Sequence, residues 1–404
     1  RYSEYDSGSV GTYKALASWA PLDWLRFRGG YQLANRAPNI NELFLDASST
    51  AVTLRAADYC QSTTAERTGN NPNNPNRAAA QALCASLIGN ATTPFSADPN
   101  NFQGGRTDGV MVQISRGNPN LQSEEGKTWT FGTVIRSPFE NPLASGITVS
   151  ADYYRAKITD AIALVTAQTA YDLCFNRDGT SNPTYSIDDQ NGACRTIERD
   201  AVTGVATRVT STYTNAGSIE TEGLDLTLNW RAGLADMGLD SVPGTVSANL
   251  SFNKTFSYKA QEFNGGPKLE NAGTLARGGL FDWRTVTTLR YQTGGVGVGL
   301  NWRHLPSIRS AQYVTDNATV IQGAKSYDIF GLTGDWDITS NFAISGGVDN
   351  VFDKDPNRVG AGQVVNIAAG DGGGTTVLNG SGSTSAAYYD VLGRRYFLNA
   401  KLRF

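Results

Sequence analysis

The chain has 404 residues, of which 40% are apolar and 10% aromatic, with 44 glycines and 14 prolines: enough material for several ordinary domains or one large barrel. Its mean hydropathy of −0.32 and its longest unbroken apolar run, Ala161–Val165, about a quarter of a spanning helix, exclude a helical membrane protein. A net charge of −3 without a dense Lys/Arg cluster excludes a nucleic-acid surface. No basic-then-apolar segment stands at Arg1, so any export signal is expected outside this sequence or already removed.

Period-two alternation recurs in short segments along the whole length. From Trp24, Leu25, Phe27, Tyr31 and Leu33 fall on one face and Arg26, Arg28 and Gln32 on the other. Next, Ile147, Val149, Ala151 and Tyr153 alternate with Thr148, Ser150 and Asp152. Leu224, Leu226, Leu228 and Trp230 oppose Asp225, Thr227, Asn229 and Arg231, and Val246, Ala248, Leu250 and Phe252 oppose Ser247, Asn249, Ser251 and Asn253. Val296, Val298, Leu300 and Trp302 follow, against Gly297, Gly299, Asn301 and Arg303. Finally Tyr396, Leu398, Ala400, Leu402 and Phe404 oppose Phe397, Asn399, Lys401 and Arg403. The pattern predicts about eleven strands, at 9–20, 24–35, 124–136, 146–158, 213–232, 243–258, 282–293, 296–304, 325–337, 342–352 and 388–404.

A soluble sandwich alternates in the same way, so length and connections decide the solvent. Most of these segments are long for a globular strand and suit a tilted membrane strand. Short links near Pro21–Asp23, Ser137–Ser145, Ala232–Val242, Thr293–Gly295 and Ile338–Asn341 alternate with long ones near Arg36–Ser123, Ala163–Thr212, Lys259–Phe281, Leu305–Ala324 and Asp353–Ala387. Short turns on one rim and long loops on the other are what an outer-membrane barrel requires. Trp19, Trp24, Trp230 and Trp336 lie beside short turns, and Trp283 and Trp302 lie toward long loops, as in the aromatic girdles of such barrels. Arg26, Arg28, Asp225, Arg231, Arg284 and Arg290 all fall opposite the apolar set, sparing the roughly 2–4 kcal/mol that a lipid-facing Lys or Arg costs at mid-bilayer. The expected fold is therefore an all-β transmembrane antiparallel barrel. Eleven strands cannot close an even-stranded one, and a free edge in hydrocarbon leaves backbone groups unpaired, so further strands are expected upstream of Arg1.

Four strings resemble the C-terminal half of TonB-dependent outer-membrane receptors. They are Asn35-Arg-Ala-Pro-Asn-Ile-Asn-Glu-Leu-Phe44, Gly117-Asn-Pro-Asn-Leu-Gln-Ser-Glu-Glu125 (with Ser123 where the family usually has Pro), Val348-Asp-Asn-Val-Phe-Asp-Lys-Asp-Pro356, and the closing Gly393-Arg-Arg-Tyr-Phe-Leu…Phe404. The resemblance implies that residues 1–404 are the C-terminal part of a 22-stranded barrel filled by an N-terminal plug, with the plug and first strands absent from this sequence. It implies a receptor that binds a scarce nutrient between its outer loops and the plug and imports it with energy from the TonB complex. It also implies residence among the lipids and lipopolysaccharide of a Gram-negative outer membrane. Terminal Phe404 has two readings: the last lipid-facing residue, or, with Tyr396, Leu398 and Leu402, the aromatic-ended signal read by the barrel-assembly machinery.

The strings need not touch ligand. Ala37-Pro38 and Asn118-Pro119 fix extended or turn backbone at loop ends, and Asp349, Asn350 and Asp353 suit a strand-end cap made by local hydrogen bonds. Cys60 and Cys84 fall in the first long loop, Cys174 and Cys194 in the second. Four cysteines allow three connectivities. Local pairing closes loops of about 20–25 residues, each worth around 3 kcal/mol when unstrained. No Cys-x-x-Cys or other zinc spacing is present, so no metal site or cofactor is expected. The Asn-rich stretch Asn70–Asn76, the glycine-rich tips after Asp371 and Asn379 and the triplet Asn90–Thr92 read as loop. Among loop aromatics, Tyr171, Phe263, Phe281 and Tyr313 are candidate ligand contacts, with loop packing as their other use. His304, the single histidine, sits near a rim without a nucleophile motif beside it, so no catalytic residue is assigned. A passive porin and a rim-active outer-membrane enzyme are the competing classes. The disulfide-scale, Asn-rich loops and scarce His, Met and clustered Arg point toward an organic nutrient, such as an oligosaccharide, over a bare metal.

Overall fold

Eleven long strands form the body of the structure, a computed structural model that describes residues 1–5, 8–54, 58–60, 76–89, 110–177, 179–189, 192–261, 268–275, 280–310, 323–359, 363–366, 375–378, 383–384, 386 and 388–403. They are β1 (Tyr13–Leu22), β2 (Leu25–Arg36), β3 (Glu124–Arg136), β4 (Thr148–Leu164), β5 (Ala206–Gly233), β6 (Thr245–Gln261), β7 (Trp283–Thr293), β8 (Val296–Leu305), β9 (Tyr327–Asp337), β10 (Phe342–Asp349) and β11 (Arg395–Leu402). Each pairs antiparallel with its sequence neighbour, from β1 to β11. The antiparallel up-and-down order is the expected barrel wall. Among the described residues, β1 pairs only with β2, and β11 only with β10. No helix among them is long and apolar enough to cross a membrane, which bears on helical spans only.

The registers assign every side chain a face. Phe27 lies opposite Trp19 on β1 and Thr133 on β3. The set continues sideways through Ile135↔Val149, Val149↔Leu228, Leu228↔Leu250, Ala248↔Leu289, Leu289↔Leu300, Leu300↔Leu332 and Leu332↔Val348. It ends with Val348↔Tyr396 on β11. This face bears Trp19, Trp129, Phe131, Leu289, Val298, Leu332, Trp336, Tyr396 and Leu398, all exposed. Large apolar side chains in such a continuous belt are tolerable only against lipid.

The other face is polar and self-bonded. Arg28 Nε donates to Asp152 Oδ1 at 2.7 Å, Asn249 to Asn229 at 2.7 Å, Asn253 to Asp225 at 2.7 Å and Arg290 to Asp335 at 2.5 Å. Leu16 and Phe397 are the large apolar exceptions on the edge strands, in register with Gly30 and Gly347. The links at the other rim from the long loops are short. β7 and β8 are joined by Gly294-Gly295, with Gly294 at φ 51°, as a two-residue hairpin needs. The girdle tryptophan Trp230 donates its indole N–H to Leu143 O at 2.8 Å in the turn between β3 and β4.

Three differences from the predicted strands share one cause. Residues 9–20 divide into a hairpin arm, Gly8–Gly11 paired with Tyr2–Tyr5, and the barrel strand β1. β5 starts at Ala206, seven residues before the expected 213, and runs for 28 residues. β11 starts at Arg395, and residues 388–394 belong to the mouth. In each case pairing or packing outside the barrel, absent from local alternation, sets the boundary.

Candidate functional site

The outer ends of the strands carry two packed bodies. The first begins where two of the family-like strings meet. Arg36, at the top of β2 on the lumen face, forks its guanidinium onto Glu124 (Nε and Nη2 both at 2.7 Å) and onto Glu42 (2.9 and 3.1 Å). Glu42 also closes a capping box with Asn39 that starts the short helix Ile40–Phe44. Gly117 N donates to Leu45 O at 2.9 Å and Asn118 N to Glu42 O at 2.8 Å. A Cβ at Gly117 would come within 2.6 Å of the Leu43 backbone, so this contact requires glycine. The third string is a turn. Asn350 is buried, bonds both backbone groups of Lys354 (2.7 and 3.0 Å), and stands with Asp353 in the left-handed region, where Asp353 caps Arg394 N at 2.9 Å.

Above β2–β5 the link from β2 to β3 and the link from β4 to β5 fold into a cap. Its sheet is Ser48–Thr53 against Val110–Arg116, then the outer end of β5 in parallel, then Ile197–Arg199. Helices Arg77–Ile88 and Ala167–Cys174 pack on it. Cys60–Cys84 and Cys174–Cys194 are both disulfides, the local pairs. Between them Arg199 and Asp58, almost fully buried, form a two-point ion pair at 2.6 and 2.8 Å, and Arg199 also donates to Gly204 O. Burial opposes the guanidinium charge, and the Asp58 carboxylate outweighs it, holding Arg199 above its ordinary pKa. The rings of Tyr59, Tyr171 and Phe175 fill the centre at centroid distances of 5.2 and 5.4 Å from Tyr59. Tyr59 Oη donates to Asp172 Oδ1 at 2.6 Å.

The second body lies over the lumen face of β8 and β9. Ile308, Ala324, Tyr327, Ile329 and Tyr389 are its buried core, with Phe281 and Tyr388 half-buried against it. Phe281 meets Tyr388 and Tyr389 edge-on at 6.3 and 6.4 Å. Burial raises the Tyr389 phenol above its ordinary pKa. Beside these rings, Arg395 reaches Asp390 at 3.2 Å and Asp349 at 3.5 Å, and Arg303 lies 4.0 Å from Asp390. The arginine side chains are nearly half exposed while the Asp390 side chain is 7% exposed, so this mouth offers cationic nitrogens and aromatic edges to the lumen.

The expected ligand residues are dispersed. Tyr171 is fully buried in the cap core, Phe281 is at the mouth, and Phe263 and Tyr313 lie outside the described residues. Tyr396, Leu398 and Leu402 project outward from β11; Phe404 lies outside the described residues, as do 71–75, 90–92, 371–374 and 379–380 of the loop stretches. His304 stacks on Trp283 at 4.7 Å and its Nδ1 is 2.8 Å from Asp328, on the outward face of the outer girdle. Among the described residues, the group with metal-ligand proximity is Cys174, Asp189 and Cys194, whose thiols are joined in a disulfide. Sequence reading missed Asp58, Arg199, Asp390 and Tyr388. The adjacent Tyr388-Tyr389-Asp390 was a usable signal for the last two, hidden by its assignment to the closing strand.

A polar-lined wall of antiparallel strands with an apolar outer belt and folded loops on one rim defines a transmembrane β-barrel wall. Residues 1–351 match the family model described as TonB dependent receptor-like, beta-barrel, and the chain belongs to this family. The ferrienterobactin receptor of Escherichia coli (strain K12) is 25% identical over 192 residues, covering 48% of this chain and 23% of that protein. A ferric enterobactin receptor from Pseudomonas aeruginosa, solved in complex with enterobactin, superposes with a TM-score of 0.54 at 15% identity, over 99% of this chain and 42% of its own. The siderophore receptor PirA from Acinetobacter baumannii gives 0.53 at 13% identity, over 100% and 42%. These structures share the fold, and the chain spans about two fifths of their length. Members of the family are Gram-negative outer-membrane barrels and the named relatives are receptors.

Proposed function

We propose that this chain forms the wall and outer mouth of an outer-membrane active-transport receptor that binds a scarce nutrient at its loops and imports it with TonB-transmitted energy. The observation that carries the reading is the mouth itself, where Phe281 and Tyr388 stand beside Arg303 and Arg395 above a polar lumen. Rings and guanidinium groups together suit a bulky anionic chelate with an organic shell, and the curated relative is named for such a ferric siderophore. In this reading the free edges of β1 and β11 are closed by further strands of a 22-stranded barrel, whose plug contacts the TonB complex. Tyr396, Leu398, Leu402 and Phe404 then form the signal read by the barrel-assembly machinery.

The test is uptake by cells expressing the full-length receptor in a strain lacking its own siderophore receptors. Iron delivered as a ferric siderophore is expected to accumulate only when TonB is present, and Phe281→Ala is expected to weaken binding about tenfold, as loss of a central aromatic contact does. Uptake that persists without TonB would establish a passive porin instead. Competition by oligosaccharides and not by siderophores would move the ligand class to sugars. Hydrolysis of a bound compound, lost in His304→Ala, would establish the enzyme.

A further inference from the structure

Asp349 belongs to the third family-like string but takes no part in its turn, which Asn350 and Asp353 close. It ends β10 on the lumen face, directly opposite Arg395 in register. Arg395 Nη2 therefore donates to two carboxylates, Asp390 at 3.2 Å and Asp349 at 3.5 Å. The two are not equivalent. The Asp390 side chain is 7% exposed, faces Arg303 as well at 4.0 Å, and accepts from Leu392 N at 3.0 Å. Tyr327 Oη donates to the Asp390 carbonyl at 3.4 Å, which fixes the backbone there too. The Asp349 side chain is 45% exposed and holds Arg395 by the longer contact. Among the described residues its carboxylate makes no other hydrogen bond.

Charge sets the consequence. Two arginines and two aspartates leave this group without net charge, so an anionic ligand gains little unless it replaces a carboxylate. Removing the Asp390 carboxylate leaves its guanidinium partners without their buried counter-charge, a costly change. An exposed pair is worth little and opens readily. We propose that Asp349 is an exchangeable counter-ion, replaced on Arg395 by an acidic oxygen of the ligand, while Asp390 is a fixed one that positions Arg395 and Arg303. The inference rests on the receptor reading above and adds a criterion of entry to it. A ligand with ionised oxygens, catecholate or carboxylate, takes the place of Asp349, which turns to the wet lumen and stays hydrated. A neutral ligand does not drive that exchange and meets arginines already satisfied. Asp349 is thus a specificity-determining residue, and Asp390 a positioning residue.

The experiment titrates the full-length receptor, purified from outer membranes, with a trianionic ferric tris-catecholate and with a neutral ferric tris-hydroxamate. Asp349→Asn is expected to tighten tris-catecholate binding up to about fivefold, the range of an exposed ion pair. Its preference for the tris-catecholate over the neutral chelate is expected to widen. Asp390→Asn is expected to weaken tris-catecholate binding at least about tenfold. Loss of negative charge alone predicts tighter binding in both variants, so opposite signs separate positioning from the general field. In an Arg395→Gln background, Asp349→Asn is expected to change the affinity by less than about twofold. Heat-modifiable migration reports folding; if Asp390→Asn fails to fold, the Arg395→Gln background carries the test. Effects of the same sign, no gain in Asp349→Asn, a gain that persists without Arg395, or a wild type that does not bind the tris-catecholate overturns the proposal. TonB-dependent uptake in the same strains is scored separately, so a receptor that imports a neutral nutrient keeps its own reading and loses only this exchange.

Discussion

At Tyr171 a loop aromatic that sequence placed among ligand contacts is fully buried between its neighbours. Its hydroxyl has no hydrogen-bond partner among the described residues. A buried polar group left unpaired costs roughly 1–3 kcal/mol, so Tyr171→Phe is expected to leave the cap as stable or raise its stability by about 1 kcal/mol, read by protection of cap amides from hydrogen exchange. Burial, and then the Asp58 charge, hold the phenol well above its ordinary pKa. The folded state thus favours the neutral form. The linked stability is full below pH about 10, the unfolded value, and falls as pH rises beyond it. In an alkaline titration followed by tyrosinate absorbance, wild-type cap should open cooperatively with a late tyrosine, and Tyr171→Phe should withstand higher pH; normal titration of Tyr171 would contradict its burial. The ion pair beside it works the other way. Asp58→Ala leaves the Arg199 charge buried alone and is expected to cost about 3–5 kcal/mol of cap stability, seen as proteolytic cleavage in the cap under conditions where the wild type is intact.

The elements differ in how far sequence revealed them. Barrel strands were legible because alternation is local: β3 was placed at 124–136 from Glu124 to Arg136, and the faces of Arg26, Arg231 and Arg290 followed from period two alone. The cap was not legible. Its sheet joins Ser48–Thr53, Val110–Arg116 and the end of β5 across long separations, so no single segment carries the pattern. The mouth was half legible: Phe281 was singled out, but Arg303, Arg395 and Asp390 meet only through the barrel's curvature and its loops. Each disulfide instead ties two neighbouring pieces of one link. Replacing Cys60 and Cys84 together by Ala reopens a loop with a sequence separation of 24 and is expected to cost about 3 kcal/mol. Limited proteolysis should then cut within the cap while the barrel still migrates as a folded, heat-modifiable species. The docked strings predict a companion effect: Gly117→Ala pushes a methyl group into the Leu43 backbone and should destabilise the cap's root by about 1–3 kcal/mol, detectable as faster hydrogen exchange at the Asn118 amide.

For the molecule as a whole, the decisive claim is that one face of the sheet meets lipid and the other water. Leu226 and Thr227 are adjacent on β5, at mid-strand, and their registers send them to opposite faces: Leu226 lies beside Ala151 and Phe252, Thr227 beside Ser150 and Ser251. An arginine at 226 must shed its hydration in hydrocarbon or distort the bilayer to keep it, at about 2–4 kcal/mol near the midplane. At 227 the same side chain enters a wall already carrying Asp225 and Asn253 and stays solvated. Leu226→Arg is therefore expected to lower the folding free energy into vesicles by that amount, and Thr227→Arg by less than about 1 kcal/mol, measured by denaturant titration of the full-length receptor. The two variants place the same charge one position apart, so the strand propensity and charge of the arginine cancel and the difference reads the face it enters, together with the leucine or threonine it replaces. Equal costs would mean that both faces see the same solvent, and the barrel and its lumen would fail together.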